Sequence, residues 1–470
     1  MNRLLHVVKY LIADWTSASA AWITLYIFRK KVIESNKYGF DVPLDFDDKF
    51  YYGLLFVPVY WLLLYAMTGQ YNAIYRRHRL KEISQTLWTT TVGVVPLFFV
   101  LLLNDEITSY HDYYQSLIVL FAAHFIATVT LRLILSTRTV KRIHRGEIGF
   151  STLIVGGNER AVELFEEIQA MKKSPGFRFI GFVKVNGKDD ILSRHLPCLG
   201  QYQSLPELIQ TKGIEEVILA VESSDYREIS SILNVLEDQS VIVKIIPDIH
   251  DIMRGSVKMT GIFGTPLIAI NQEIMPAWQF SLKRVMDIVL SAIAVLILLP
   301  VYLVIGVLVK LSSPGPVFFV QERIGHHGKP FNIIKFRTMC QDAEKNGPQL
   351  SSAHDQRITK VGKLLRKTRL DELPQFFNVL RGEMSLVGPR PERRFYIEQI
   401  MAKAPHYKHL QKVRPGITSW GQVKYGYAEN VDQMVQRLKY DLLYIENMSL
   451  AVDIKILFYT ILIVLKGSGK

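Results

Sequence analysis

Four runs of apolar residues open the chain, at about 10–28, 51–68, 85–104 and 113–136. A helix needs ~20 residues to cross ~30 Å of hydrocarbon. The pattern therefore predicts an α-helical bundle of four transmembrane helices within residues 1–140. From 150 the pattern changes: the β-rich runs STLIVGG, FRFIGFVKV, EEVILAV and VIVKIIP alternate with helical periodicity, beginning with a helix from about Glu159 to Met171. Such alternation predicts a doubly wound α/β unit with a parallel sheet, here a Rossmann-like domain at 150–265. A fifth apolar stretch, 285–311, has Pro300 near its centre, Lys283 and Arg284 before it and Lys310 in its last turn. Proline removes a helix hydrogen bond and clashes with the preceding turn, so a bend is expected around Leu299-Pro300. Basic residues at both ends suit a re-entrant helix whose ends share one side of the membrane, and a kinked ordinary span is the competing reading. The last apolar run, 449–466, is interrupted by Asp453 and Lys455 and reads as an interfacial helix, with a buried core helix as its alternative.

Charge orients these elements. Arg76, Arg77, Arg79 and Lys81 lie between the second and third runs, Arg138, Lys141, Arg142 and Arg145 follow the fourth, and Asp105, Glu106 and Asp112 make the intervening loop acidic. The positive-inside rule then places the amino terminus and everything after 137 in the cytoplasm. Arg29, Lys30 and Lys31 run against that orientation, although Asp41, Asp45, Asp47 and Asp48 share their loop. The chain has 470 residues, 49% of them hydrophobic, and a net charge of +13. That length calls for two or three domains, and the charge favours anionic partners. With only Cys198 and Cys340, no disulfide framework is implied. Asp14 within the first apolar run argues against a cleavable leader.

Chemistry is concentrated in a polar, basic region at 312–426, through SSPGPVFFVQERIG, KPFNIIKFRTM, LLRKTRLDELPQFFNVLRGEMSLVGPRPE and VRPGITSWGQV. It contains no Walker A sequence, HExxH helix or metal-spaced Cys/His cluster. Asp371 and Glu372 stand directly before Leu373-Pro374-Gln375, with Arg366, Lys367 and Arg369 upstream and Arg381 downstream. Such an acidic pair could simply cap a helix. It could also hold Mg2+ and leave one oxygen free to attack phosphorus, in a setting whose arginines neutralise phosphate. Arg390, between two prolines, and Arg414, before Pro415-Gly416, have restricted backbones that suit bidentate phosphate contacts. His326 and His327 read as a solvated turn. In the Rossmann-like domain the G-x-G-x-x-G frame starting at Gly156 has Asn158 and Ala161 in place of its second and third glycines, which favours a structural or regulatory role over nucleotide binding.

The strings at 314–339, 371–375, 384–392 and 414–423 resemble, in order, the motifs of the monotopic polyprenyl phosphate phosphoglycosyltransferases, the bacterial sugar transferases. The wider layout is similar to their large membrane forms, the undecaprenyl-phosphate glucose phosphotransferase type: four amino-terminal helices, a Rossmann-like CoA-binding-type domain, and a catalytic domain at 280–470 with a re-entrant helix kinked at Pro300. The resemblance implies Asp371 as nucleophile, Glu372 as its dyad partner, and Mg2+ bound by both. It implies Arg366, Arg390 and Arg414 as phosphate-binding residues, helped by Lys335 and Arg337 of KFRTM. The implied reaction moves a sugar 1-phosphate from a UDP-sugar to undecaprenyl phosphate, releasing UMP, at the cytoplasmic face of a bacterial inner membrane. Membrane lipid is an implied partner, nucleic acid is not, and a homo-oligomer stays open. SWGQV stands where many relatives have GWAQV.

Two rival classes remain. A non-catalytic scaffold or regulator that binds nucleotide-sugar would use the acidic pair as a cap, and an intact DELPQ among arginines speaks against it. A transporter would need ionisable residues along the amino-terminal helices, where few occur.

Overall fold

A computed structural model describes residues 3–72, 79–102, 110–185, 190–221, 226–236, 239, 241–246, 267–270, 274–340, 343, 347, 355–426 and 428–465. Of the charges used for orientation, Arg76, Arg77, Asp105 and Glu106 lie outside the described residues. The chain divides into two compact units, Met1–Asn271 and Gln272–Lys470. The sequence boundary between the helices and the α/β region falls inside the first of them.

That unit opens with helices α1 (Arg3–Phe28), α2 (Asp48–Met67), α3 (Arg79–Leu102) and α4 (Tyr110–His144). Asp47 caps α2 by accepting a hydrogen bond from the Phe50 amide at 2.9 Å. By length and apolarity α2, α4 and the Arg79–Val100 part of α3 could each cross a membrane. The first helix is not in that set, and it carries Lys9, Asp14, Thr16, Ser17 and Ser19. Asp14 and Ser17 lie on its buried face, whereas Lys9 and Thr16 are exposed. Arg132 of α4 forms an ion pair with Asp14 at 2.7 Å, both side chains being almost wholly buried, and Tyr71 donates to the same carboxylate at 2.9 Å. Around them Trp22, Leu25, Trp61 and Leu120 form an apolar core. A Cβ at Gly53 would lie 2.1 Å from the Trp22 ring, so glycine is what lets α2 close onto α1.

The sheet of this unit has strands β1 (Phe150–Val155), β2 (Phe177–Lys184), β3 (Cys198–Gln201), β4 (Glu216–Leu219), β5 (Ile242–Ile245) and β6 (Ile268–Ala269). Their order is β3-β2-β1-β4-β5-β6. All neighbours pair in parallel except β5 and β6. The parallel, doubly wound expectation is met. β6, of two residues, is too short to display a period, and β3, CLGQ, carries no β-branched or aromatic residue to mark it as a strand. Helix α5 (Glu159–Ala170) ends one residue short of its predicted limit.

The second unit begins with α8 (Ala277–Ile297) and α9 (Leu299–Ser312), which meet at a 62° bend; α6 (Leu205–Lys212) and α7 (Tyr226–Leu236) precede them in the sheet region. Pro300 occupies the first turn of α9, where its missing N–H costs no hydrogen bond. Tyr302, Ile305 and Val309 of α9 face inward, while Leu299, Leu303, Val307 and Leu311 are exposed. An antiparallel hairpin, β7 (Phe318–Ile324) and β8 (Pro330–Phe336), follows. Then come α10 (Lys360–Lys367), α11 (Gln375–Arg381), β9 (Ser385–Val387), α12 (Arg394–Lys403), β10 (Gly416–Thr418), α13 (Trp420–Lys424), α14 (Val431–Glu446) and α15 (Leu450–Leu465). Helix α15 answers both readings of the last apolar run. Its Asp453 and Ile456 are buried, and Ile454, Phe458, Ile461 and Leu462 are exposed. Lys283 of α8 donates to Asp453 at 2.6 Å and Tyr444 does so at 2.7 Å, fastening the two apolar helices to one core.

Candidate active site

The turn that bears the acidic pair is built from strain and close approach. Arg369 has φ +56°, a left-handed conformation that a residue with a Cβ rarely adopts, and it reverses the chain after α10. A single 3-10 turn, Leu370–Glu372, then leads through Leu373 and Pro374 into α11. Pro374 takes the N-cap position of α11 and no side chain caps that helix. Capping therefore does not account for Asp371 and Glu372. Upstream, a Cβ at Gly362 would lie 2.1 Å from the Thr338 carbonyl oxygen, so only glycine allows α10 to lie on the end of β8. That contact lets the Arg366 Nε donate to Thr338 Oγ1 at 2.9 Å.

Beneath the turn, β8 presents Lys335, whose Nζ is 3.0 Å from Glu372 Oε1. Arg390, just past β9, brings Nη1 and Nη2 each to 3.4 Å from the same oxygen. The backbone crossing that delivers Arg390 is tight: a Cβ at Gly416 would lie 2.1 Å from the Gly388 nitrogen. Burial raises Asp371 well above the usual carboxylate range, and the Glu372 charge raises it further. Burial pushes Glu372 upward too, but Lys335 and Arg390 outweigh it and hold this carboxyl low. Lys335 itself is lowered by burial, despite the attraction of Glu372. The two adjacent acids are thus differentiated. Glu372 is the neutralised partner, and among the described residues no hydrogen bond or ion pair engages the Asp371 carboxylate.

The remaining sequence candidates separate. Arg337 donates to the Ser313 and Pro314 carbonyls at 2.7 and 2.8 Å, tying β8 to the end of α9. Arg414 donates through Nε to Gly382 O at 3.0 Å, beside Arg284, which donates to Val379 O at 2.9 Å at the end of α11. These arginines hold backbone, while Lys335 and Arg390 meet the dyad. His326 lies 3.1 Å from the Lys412 carbonyl oxygen in a turn.

Several residues were not singled out from the sequence. Glu392 is buried between Arg437, at 2.6 Å, and Arg323, at 3.3 Å, behind Arg390. Arg437 and Asp441 share a face of α14 at i and i+4, and Asp441 accepts the Gly421 amide at 2.9 Å. A Cβ at Gly421 would lie 2.7 Å from Arg437 Cγ, which explains glycine at that point of SWGQV. Gln375 and Gln422 are each 2% exposed and hold side-chain amide atoms without a hydrogen-bond partner. The spacing of Arg437 and Asp441 was a legible clue; the burial of the two amides was not.

In the first unit Gly156 has φ +104°, and Asn158 closes the turn after β1. Its Nδ2 donates to Ala220 O at 2.7 Å and its Oδ1 accepts from the Ala161 amide at 3.0 Å. That side chain stands where a pyrophosphate would approach, so the turn does not fit a nucleotide phosphate cradle.

The chain combines several helices long and apolar enough to cross a membrane with a buried acid pair that Lys335 and Arg390 meet at Glu372, the features of a membrane protein. Residues 278–467 match the bacterial sugar transferase family and residues 70–247 match a CoA-binding domain family. The chain is 44% identical over 224 residues to the UDP-N-acetylgalactosamine-undecaprenyl-phosphate N-acetylgalactosaminephosphotransferase of Aeromonas hydrophila, covering 48% of this chain and 52% of that one. It is 38% identical over 264 residues to the UDP-glucose:undecaprenyl-phosphate glucose-1-phosphate transferase of Escherichia coli (strain K12), covering 56% and 57%. With an uncharacterized sugar transferase of Haemophilus influenzae it shares 32% identity over 339 residues, covering 68% and 69%. The match thus spans little more than half the length of the first two relatives. The chain belongs to the bacterial sugar transferases.

Proposed function

We propose that this protein transfers a sugar 1-phosphate from a UDP-sugar to undecaprenyl phosphate, releasing UMP and forming undecaprenyl diphosphate-sugar. The observation behind this reading is the division of labour in the acid pair: Lys335 and Arg390 converge on Glu372, and Asp371 stays unengaged beside them. In the first step an Asp371 oxygen attacks the sugar-proximal phosphorus, the P–O bond to UMP breaks, and UMP leaves with the bond's electron pair. In the second an oxygen of undecaprenyl phosphate attacks the same phosphorus, and the Asp371 carboxylate leaves. One phosphoanhydride replaces another, so no outside energy source is needed, and a soluble donor and a lipid acceptor use one site in turn. Lys335, Arg390 and Arg366 supply positive charge, the main demand of phosphoryl transfer.

The donor set fits Mg2+, since Asp371 is uncommitted and only Oε1 of Glu372 is engaged, and the ion usually takes one or two carboxylates beside substrate phosphates. When bound, Mg2+ would supply further neutralisation of phosphate oxygens. In this reading the two carboxylates of the dyad hold the ion. The bent pair α8–α9 is read as re-entrant, with its exposed apolar face and that of α15 at the cytoplasmic face of the inner membrane; of the four amino-terminal helices, α2, α3 and α4 are long and apolar enough to span by themselves, and α1 is read as a fourth span beside them. There the enzyme would start repeat units of exopolysaccharide, capsule or O-antigen. The CoA-binding-type domain is read as structural, because Asn158 fills its phosphate turn.

The test is UMP release by detergent-purified protein with Mg2+, undecaprenyl phosphate and a panel of UDP-sugars. Release with wild type but not Asp371→Asn supports the reading. Equal release from both removes Asp371 as nucleophile.

A further inference from the structure

Helix α9 is apolar, and of its three buried side chains, Tyr302, Ile305 and Val309, only Tyr302 carries a polar group. Its ring packs beside Phe336 and Phe377, with centroids 5.7 and 5.9 Å away, and a phenylalanine would fill the same space. A buried hydroxyl opposes folding unless it is hydrogen-bonded, so its bond is what accounts for tyrosine at this point. Tyr302 Oη donates to the Leu373 carbonyl oxygen at 2.8 Å, and Leu373 directly follows the Asp371–Glu372 pair. The far end of α11 is held from α8, where Arg284 donates to Val379 O at 2.9 Å. Each arm of the bent pair thus holds one end of this short helix, and the arm beyond the bend holds the end next to the dyad.

Resting on the function proposed above, we infer that Tyr302 is a positioning residue that fixes the depth of Asp371 against the membrane helix, and so serves the lipid acceptor and not the nucleotide donor. A UDP-sugar arrives from water and follows the turn wherever it lies. The phosphate of undecaprenyl phosphate is kept at head-group depth by its tail, so a phosphosugar carried on Asp371 at another depth meets it poorly. The bond contributes little to global stability, because Leu373 O also accepts the Phe376 amide at 3.1 Å.

Tyr302→Phe keeps the ring and removes the bond. Its Tm is expected to stay close to that of wild type. In single-turnover reactions UMP release without acceptor should keep its wild-type rate. Transfer of the phosphosugar to undecaprenyl phosphate in lipid vesicles should slow about 10-fold to 100-fold, as for a reacting group displaced by up to about 1 Å. Equal slowing of both steps, or unchanged transfer, overturns the inference. A second readout does not depend on the reaction: hydrogen exchange of the Glu372, Leu373 and Phe376 amides should quicken about 5-fold in the variant, with the α8 amides unchanged. If wild type releases UMP from no donor, the function proposed above has failed, and exchange still decides whether Tyr302 holds the turn. Quickening confined to those amides supports it, and equal exchange in the two proteins overturns it.

Discussion

Replacing Glu392 with glutamine tests the charge layer behind the dyad. The carboxylate lies 2.6 Å from Arg437 and 3.3 Å from Arg323, and all three side chains are largely buried. At an effective dielectric constant near 20, charges at such distances attract by roughly 5–6 kcal/mol each. Most of that offsets desolvation, and removing one partner of a buried pair costs about 3–5 kcal/mol, because the other charge is stranded. Arg323 is especially exposed to this loss: burial already lowers it, Glu392 is its main support, and Arg390 and Arg393 repel it. Against a typical domain stability of about 5–15 kcal/mol, Glu392→Gln is expected to lower Tm markedly. Thermal unfolding of detergent-purified protein reads the single variant, Arg437→Met, and the double variant. The double variant is expected to be more stable than the summed losses imply, since the stranded charge has gone with its partner. A single variant within about 0.5 kcal/mol of wild type, or strictly additive losses, would refute the reasoning.

Asp441 is pushed up to about 6, first by burial, against the pull of Arg437 and its hydrogen bonds. Its folded pKa is therefore above its ordinary value of 3.8, so its support for the fold is complete below 3.8 and is lost as pH rises through about 6. Wild type is expected to lose about 1–3 kcal/mol between pH 4 and 7 from this group, and Asp441→Asn to lose that dependence, as shown by Tm measured across the range. Asp453→Asn leaves the Lys283 ammonium with Val387 O as its recorded acceptor, at 2.9 Å. Loosening of α15 by about 3 kcal/mol should follow, visible as faster proteolysis of the carboxyl-terminal helix. Asn158→Ala removes the α5 cap and the bond to Ala220, costing about 1 kcal/mol, while UMP release stays at the wild-type level. A fall in activity at unchanged stability would return the CoA-binding-type domain to the chemistry.

Periodicity alone determined the succession of apolar helices, the parallel α/β sheet and the bend at Pro300, because each rests on interactions local in sequence: helix length, strand alternation and the missing proline N–H. Adjacent acids, proline-flanked arginines and the order of four motifs likewise pointed to Asp371, Glu372 and Arg390 without coordinates. Tertiary structure decided the rest. It placed Lys335 and Arg390 on a single oxygen of Glu372, and turned Arg337 and Arg414 toward backbone carbonyls. It paired Asp14 with Arg132 across 118 residues and set Glu392 against Arg437 across 45. An arginine's sequence neighbours do not reveal whether its fork meets a carboxylate, a carbonyl or a ligand. Only the packing of distant strands and helices decides which groups are buried together: it sets Lys335 and Arg390 on Glu372, which hold that carboxyl low while burial raises Asp371, and it leaves an amide such as Gln375 without a partner in the chain.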